Sequence, residues 1–268
     1  MVKRRSTRQP RRRGDREPEQ VLYVERGAAV GATVMLDGAE ADHARRSLRL
    51  RTGDPVSVVD GAGSRFHGVI SGLDKHHVAA RLDRVELIEP WPHRELWLGA
   101  GVLKSTRMDV VVEKASELGV SRLFPVLFKH CVSRPHEDGA KVERWRRIAV
   151  ESLKQCKRAR LMQVEEPVTL EAFLEHIPAD AELVVADPEG VAPRSPVARG
   201  TLVLTAAPEG GIAPDELETL SRMGARRVRL DGNRLRAETA ALALVVSLLA
   251  VSGDFGLKPG NPPADNGL

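Results

Sequence analysis

Two prolines one residue apart, in Glu89-Pro90-Trp91-Pro92, divide this chain into two stretches of different periodicity. Proline fixes φ and disfavours helix in the residue before it, so the segment reads as an extended link between domains. Before it, short strand-like runs at residues 21–24, 33–36, 55–59, 66–70 and 77–85 are separated by turn residues such as Asp60-Gly61-Ala62-Gly63. Many short strands with close turns predict a small β-barrel. After the link, runs at residues 96–103, 122–127, 183–186, 202–205 and 227–230 alternate with helical patterns at 107–118, 141–157, 170–176, 214–223 and 237–252. Such alternation predicts an α/β domain, a mostly parallel sheet covered by helices. The expected organisation is a barrel over residues 21–90 and an α/β domain over 91–253, between a basic tail at 1–20 and a Pro/Gly/Asn-rich tail at 254–268.

Charge is concentrated at one end. Residues 1–20 hold eight Lys/Arg against three acids, +5, so a formal net charge of +4 leaves −1 for the rest of the chain. A segment so charged buries too little apolar surface to fold alone, and it can draw a phosphate backbone close without reading sequence. A merely solvated tail is the plainer alternative. No apolar run reaches the roughly 20 residues of a membrane helix, and no apolar stretch follows the basic start as in a secretory signal, so a cytoplasmic location is expected. Cys131 and Cys156 lack a second Cys or a His at zinc-site spacing, which predicts reduced structural thiols and no metal. His76 and His77 are expected on opposite faces of a strand, an arrangement unsuited to shared ligation.

Two glycine-containing loops follow predicted strands late in the chain, where open α/β sheets place ligands. In residues 204–211, Pro208-Glu209-Gly210-Gly211 lets the backbone approach a ligand before a helix that starts at Pro214. The alternative is a turn that only leads into that helix. The loop matches neither G-x-G-x-x-G nor a P-loop, which disfavours a phosphate cradle. In residues 230–240, Arg234, Arg236 and Glu238 crowd the entry to the apolar last helix. Arginine there opposes the helix dipole, which suggests a role beyond stability; a capping ion pair between Arg236 and Glu238 is the competing reading. In the first domain a probable helical turn carries His43, Arg45, Arg46 and Arg49, a face suited to RNA.

Five stretches carry a resemblance: His43 to Arg49 with Gly53-Asp54; Lys104 to Asp109 with Glu113 to Gly119; Glu151 to Arg158; Pro208-Glu209-Gly210-Gly211; and Leu235-Arg236-Ala237-Glu238-Thr239-Ala240. Together, from about residue 21 to residue 252, they resemble the ribosomal RNA small subunit methyltransferase E family. The resemblance implies a PUA-like barrel followed by a SPOUT domain with a deep trefoil knot, a homodimer whose active site is completed by the second subunit, and no metal. It implies transfer of a methyl group from S-adenosylmethionine to N3 of a uridine in 16S ribosomal RNA, within the small ribosomal subunit. Carried onto this sequence, Arg236 stabilises the uridine anion, and Glu209 and Glu238 are candidate bases. The donor is held around Leu204, Ala206, Ala207, Glu209, Gly210, Gly211, Leu230, Gly232 and Leu235, and RNA by His43, Arg46, Arg49, Lys104, Arg107 and Arg158. Three positions depart from the family pattern: Ala207 and Asp231 stand for glycines, the latter with the following arginine shifted by one, and Met162 stands for a proline. Two other readings remain open, a related knotted methyltransferase acting on transfer RNA and an RNA-binding assembly factor without catalysis.

Overall fold

The computed structural model describes residues 21–25, 28–104, 106–132, 139–195, 200–230 and 232–255. The basic segment 1–20, Asp231 and the chain after residue 255 lie outside the described residues. The chain divides into two compact units, the first ending at Ile88 and the second starting at Glu89.

The first unit contains β1 (Val21–Tyr23), β2 (Thr33–Leu36), α1 (Gly38–Asp42), a wide helical turn (His43–Ser47), β3 (Pro55–Val59), β4 (Ser64–Leu73) and β5 (Val78–Leu87). The strands run in the order β1-β3-β4-β5-β2, with β1 parallel to β3 and the other pairs antiparallel. Asp60 shapes the β3–β4 turn, its Oδ1 accepting from Ala62 N at 2.8 Å and Ser64 N at 3.0 Å. At the bulge after His67 the strands come so close that a Cβ on Gly68 would lie 2.0 Å from the Arg81 carbonyl oxygen, so no other residue fits. Leu22, Leu36, Val56, Ile70, Ala80, Ala41 and Ala44 share one core, so both edge strands and α1 wrap the same interior. His76 and His77 are not on a strand: they sit in the turn before β5, where both backbone N–H groups donate to Asp74 Oδ1. An aspartate two or three residues ahead offers the backbone this turn in place of a ladder.

The second unit contains β6 (Leu96–Gly101), α2 (Thr106–Glu117), β7 (Arg122–Leu127), α3 (Gly139–Gln155), β8 (Gln163–Val164), β9 (Val168–Thr169), α4 (Leu170–Glu175), β10 (Glu182–Val191), β11 (Leu202–Ala206), α5 (Pro214–Arg222), β12 (Arg226–Val228) and α6 (Ala237–Val251). Its sheet is parallel, in the order β12-β10-β11-β6-β7-β8, with β9 also paired to β7. Strand residues of alternate parity feed two cores. Leu96, Leu98, Leu123, Val184, Leu202 and Leu204 pack with α2, α3 and α6, whereas Trp97, Phe124, Leu183, Val185 and Val203 pack with α4 and α5. A strand covered on both sides is buried at every position, as in Leu202–Ala206, and its sequence shows a mostly apolar run instead of alternation. Met162, where the family pattern has proline, is buried in the first of these cores.

Both ends of this unit are tied together. Trp91 Nε1 donates to the Asp254 carbonyl at 2.8 Å, Arg94 pairs with the Asp254 carboxylate at 3.7 Å, and the Trp91 and Phe255 rings lie 6.4 Å apart. Asp254 and Phe255, assigned from sequence to a loose tail, are therefore anchored, and Trp91 belongs to the packed unit instead of a free link. Arg158 is held here as well: its guanidinium donates to the carbonyls of Ser116 and Trp91, and burial pushes its pKa down.

Candidate functional site

The carboxyl ends of β11 and β12, together with Ala186–Pro188 in the middle of β10, open onto one cavity of about 660 Å³. The crevice beyond the strand ends is where open parallel sheets collect ligands, because strand ends leave free backbone groups there and helix starts bring positive dipole ends.

The β11 end is set by proline. Pro208 has no N–H to continue the ladder, and Gly211, at φ +80°, turns the chain so that its N–H donates to the Pro208 carbonyl at 3.0 Å. Neighbours on several sides hold this turn. A Cβ on Gly101, at the end of β6, would lie 2.4 Å from Pro208 N, and one on Gly210 would lie 2.6 Å from His130 Cβ. His130 Nδ1 lies 3.1 Å from the Gly210 carbonyl. Below it the buried Glu216 carboxylate accepts from Lys129 N at 2.7 Å and from Ala213 N at 2.9 Å, tying the loop after β7 to the first turn of α5. The Lys129 ammonium pairs with Asp215, which holds that carboxyl below its ordinary range. Burial pushes the neighbouring Cys131 thiol up, away from the thiolate form that nucleophilic chemistry needs.

The opposite wall is formed by Arg229, Leu230 and Gly232 to Leu235, between β12 and α6. Gly232 takes φ +120° with open space where a side chain would be, and Gly232 through Arg236 are exposed. Arg236 is the N-cap of α6, with no side-chain cap. The Arg236–Glu238 ion pair weighed from sequence is absent among the described residues. Arg236 is exposed, and Glu238 Oε2 is buried without a hydrogen-bond partner. An arginine offers no acceptor oxygen to a helix start, so its presence there does nothing for α6.

Among the sequence-derived donor residues, Ala207, Glu209, Gly210, Gly211, Leu230, Gly232 and Leu235 line the cavity. Leu204 and Ala206 lie in the buried body of β11 and do not. Arg234, singled out from sequence at the entry to α6, lines it too, as do Asp187, Pro188, Arg229 and Asn233, which were missed. Asp187 lies within the run of β10 and carries no motif; its Oδ2 accepts from Arg227 Nε at 2.6 Å and its Oδ1 from Glu189 N at 2.8 Å.

The RNA candidates separate. Arg46 and Arg49 are exposed and His43 partly so, with Arg46 Nε 3.3 Å from Asp42. Arg107 Nη1 donates to Glu209 Oε1 at 3.3 Å, and Lys104 N lies 3.5 Å from the same oxygen. Arg158 is corrected to a structural role, since its guanidinium is spent on two backbone carbonyls.

The α/β unit matches a family model described as an RNA methyltransferase domain over residues 89–249, and the first unit matches an RNA methyltransferase PUA domain over residues 36–83. A ribosomal RNA small subunit methyltransferase E from Mycobacterium bovis is 31% identical over 232 residues, covering 82% of this chain and 87% of the relative. The chain belongs to the ribosomal RNA small subunit methyltransferase E family. A family member from Aquifex aeolicus is 30% identical over 66% of this chain and 77% of its own length. The crystal structure of the family member from Neisseria gonorrhoeae, bound to S-adenosyl methionine, superposes with a TM-score of 0.80 at 25% identity, over 88% of this chain and 99% of that one.

Proposed function

We propose that this chain transfers a methyl group from S-adenosylmethionine to N3 of a uridine in 16S ribosomal RNA. The observation that carries the reading is the meeting of the turns at 207–211 and 230–235 on one cavity at the strand ends, large enough for a ligand of that size. Two features of the walls fit such a ligand: open space beside Gly211 and Gly232, and a buried Glu209 oxygen without a partner. Ala207 adds only a methyl group at the rim. When bound, the donor supplies a methyl group on a sulfonium, already a good leaving group.

What remains for the chain is to place N3, take its proton and stabilise the anion that results. The exposed Arg236 guanidinium suits the anion, and Glu238 or Glu209 suits the proton. His43, Arg46 and Arg49 on the first unit, with Lys104 and Arg107 on the second, suit RNA phosphates and would orient a uridine splayed from its stack. A homodimer in the cytoplasm acting on the small ribosomal subunit is the context we infer. Its support is α6, whose outward Leu242, Ala243, Val246 and Ala250 leave no charged residue between Glu238 and Asp254 to favour water over a second apolar surface. A trefoil knot is in keeping with the return of the chain from edge strand β12 to α6, which packs against α2 and β11. No helix among the described residues is long and apolar enough to cross a membrane.

Mapping 3-methyluridine in 16S ribosomal RNA from cells with and without the gene tests the assignment. Loss of one such site on deletion is the expected result. A missing methyl on transfer RNA, or no missing methyl at all, would reject it.

A further inference from the structure

We propose that Glu209 reads the positive charge of the ligand, an inference that rests on the donor site proposed above. Glu209 lines the cavity, and its two carboxylate oxygens have different surroundings. Oε1 is engaged by the Arg107 guanidinium at 3.3 Å and lies 3.5 Å from the Lys104 backbone N–H. Oε2 is buried and has no hydrogen-bond partner among the described residues. The side chain is only 24% exposed, so water does little to compensate. A carboxylate oxygen left in this state is costly, and a positive charge in the adjoining cavity lessens that cost through space.

The other charged groups of the wall do not offer the same thing. Asp187 already accepts from Arg227 and from Glu189 N, and Arg229 and Arg234 are themselves cationic. Arg107 and the Lys104 N–H engage one oxygen and leave the charge on the other without a hydrogen-bond partner. S-adenosylmethionine carries a sulfonium charge. Methyl transfer leaves the C–S electron pair on sulfur and erases that charge, so donor and product differ at the feature a fixed carboxylate detects. Glu209 thereby makes the site prefer the donor over S-adenosylhomocysteine and favours release of the product.

The test is calorimetric affinity of the full chain for both ligands, in the unaltered protein, in Glu209→Gln and in Glu209→Asp, with melting temperature recorded. Glu209→Gln should weaken donor binding by about tenfold and product binding by less than about threefold, the scale of one partly screened charge contact. Glu209→Asp, which keeps the charge, should retain most of the preference. Equal weakening of both ligands in the Gln variant, no change in either, or the same loss of preference in Asp and Gln would overturn the proposal. If the Gln variant does not fold, the unaltered chain decides: an analogue with an ammonium in place of the sulfonium must bind more tightly than S-adenosylhomocysteine, and equal affinity overturns the idea. Binding of neither natural ligand to the unaltered chain would remove the donor site itself, and this inference with it.

Discussion

The two turns that face each other across the cavity are built in opposite ways. The turn at Pro208-Glu209-Gly210-Gly211 is held by four separate parts of the unit: Gly101 of β6, Arg107 of α2, the Lys129-His130 loop, and Glu216 of α5. The turn at Gly232 to Leu235 is exposed, as is Arg236 just beyond the lining, and Arg234 and Arg236 make no ion pair among the described residues. One wall is therefore preformed, its groups oriented before any ligand arrives. On the other, Arg234 and Arg236 have no ion-pair partner among the described residues and are exposed to one that neither wall supplies. A preformed wall suits recognition of a small molecule, whereas uncommitted arginines suit a polyanion.

If that contrast is right, substitutions on the two walls should fail differently. The largest effect belongs to the exposed wall: Arg236→Ala should lower methyl transfer by about 10²- to 10³-fold, as removal of an anion-stabilising donor does, while donor affinity and melting temperature stay put. Equal loss of donor binding and transfer in a filter-binding and rate comparison would make Arg236 structural and erase the contrast. Next comes Gly210→Ala, whose Cβ would lie 2.6 Å from His130 Cβ and 2.8 Å from the His130 carbonyl oxygen. Two backbones must part, which should cost about 1–3 kcal/mol and weaken donor binding. Gly232→Ala meets nothing within 4 Å and is opposed by its φ of +120° alone, in an exposed loop free to readjust. Thermal unfolding of the two variants should therefore rank Gly210→Ala as the more damaging, and the reverse ranking would show that the second turn is the rigid one.

The smallest effect sharpens the account of the braced side. The Lys129 ammonium depresses the Asp215 carboxyl in the folded state, so the pair's contribution is present above the unfolded carboxylate value and fades as pH falls below about 4. Both groups are exposed, and such pairs contribute little. Asp215→Asn should barely move the melting temperature near neutrality and should flatten its decline at acid pH slightly. A large loss at pH 7 would mean that the outer pair, and not Glu216, carries the brace.

Much of this was legible beforehand because it follows from local patterns. Runs such as Leu202–Ala206 announce a strand covered on both sides, and Pro214 with acids behind it announces a helix start. Glu216 was legible only as an acid behind Pro214 at a helix start; that one of its oxygens would accept from Lys129 N was not, since that contact joins residues 87 apart. Arg158 shows the converse failure. A basic residue after a helix reads as a phosphate contact, but its partners are backbone carbonyls, which leave no mark in a sequence. The two-residue strands β8 and β9 are shorter than any periodicity, and Asp187 was hidden in the middle of a strand, where the pattern registers only burial.

The hydrogen bond between Trp91 and Asp254 joins the place where the chain enters the second unit to the place where it leaves. A fold whose entrance and exit coincide has a single seam, so it can be set behind a different RNA-binding module, or spliced into a surface loop of another protein, without stretching. The same seam makes shortening hazardous: cutting the chain at Val251 would leave Trp91 without its acceptor and ring neighbour and Arg94 without its carboxylate.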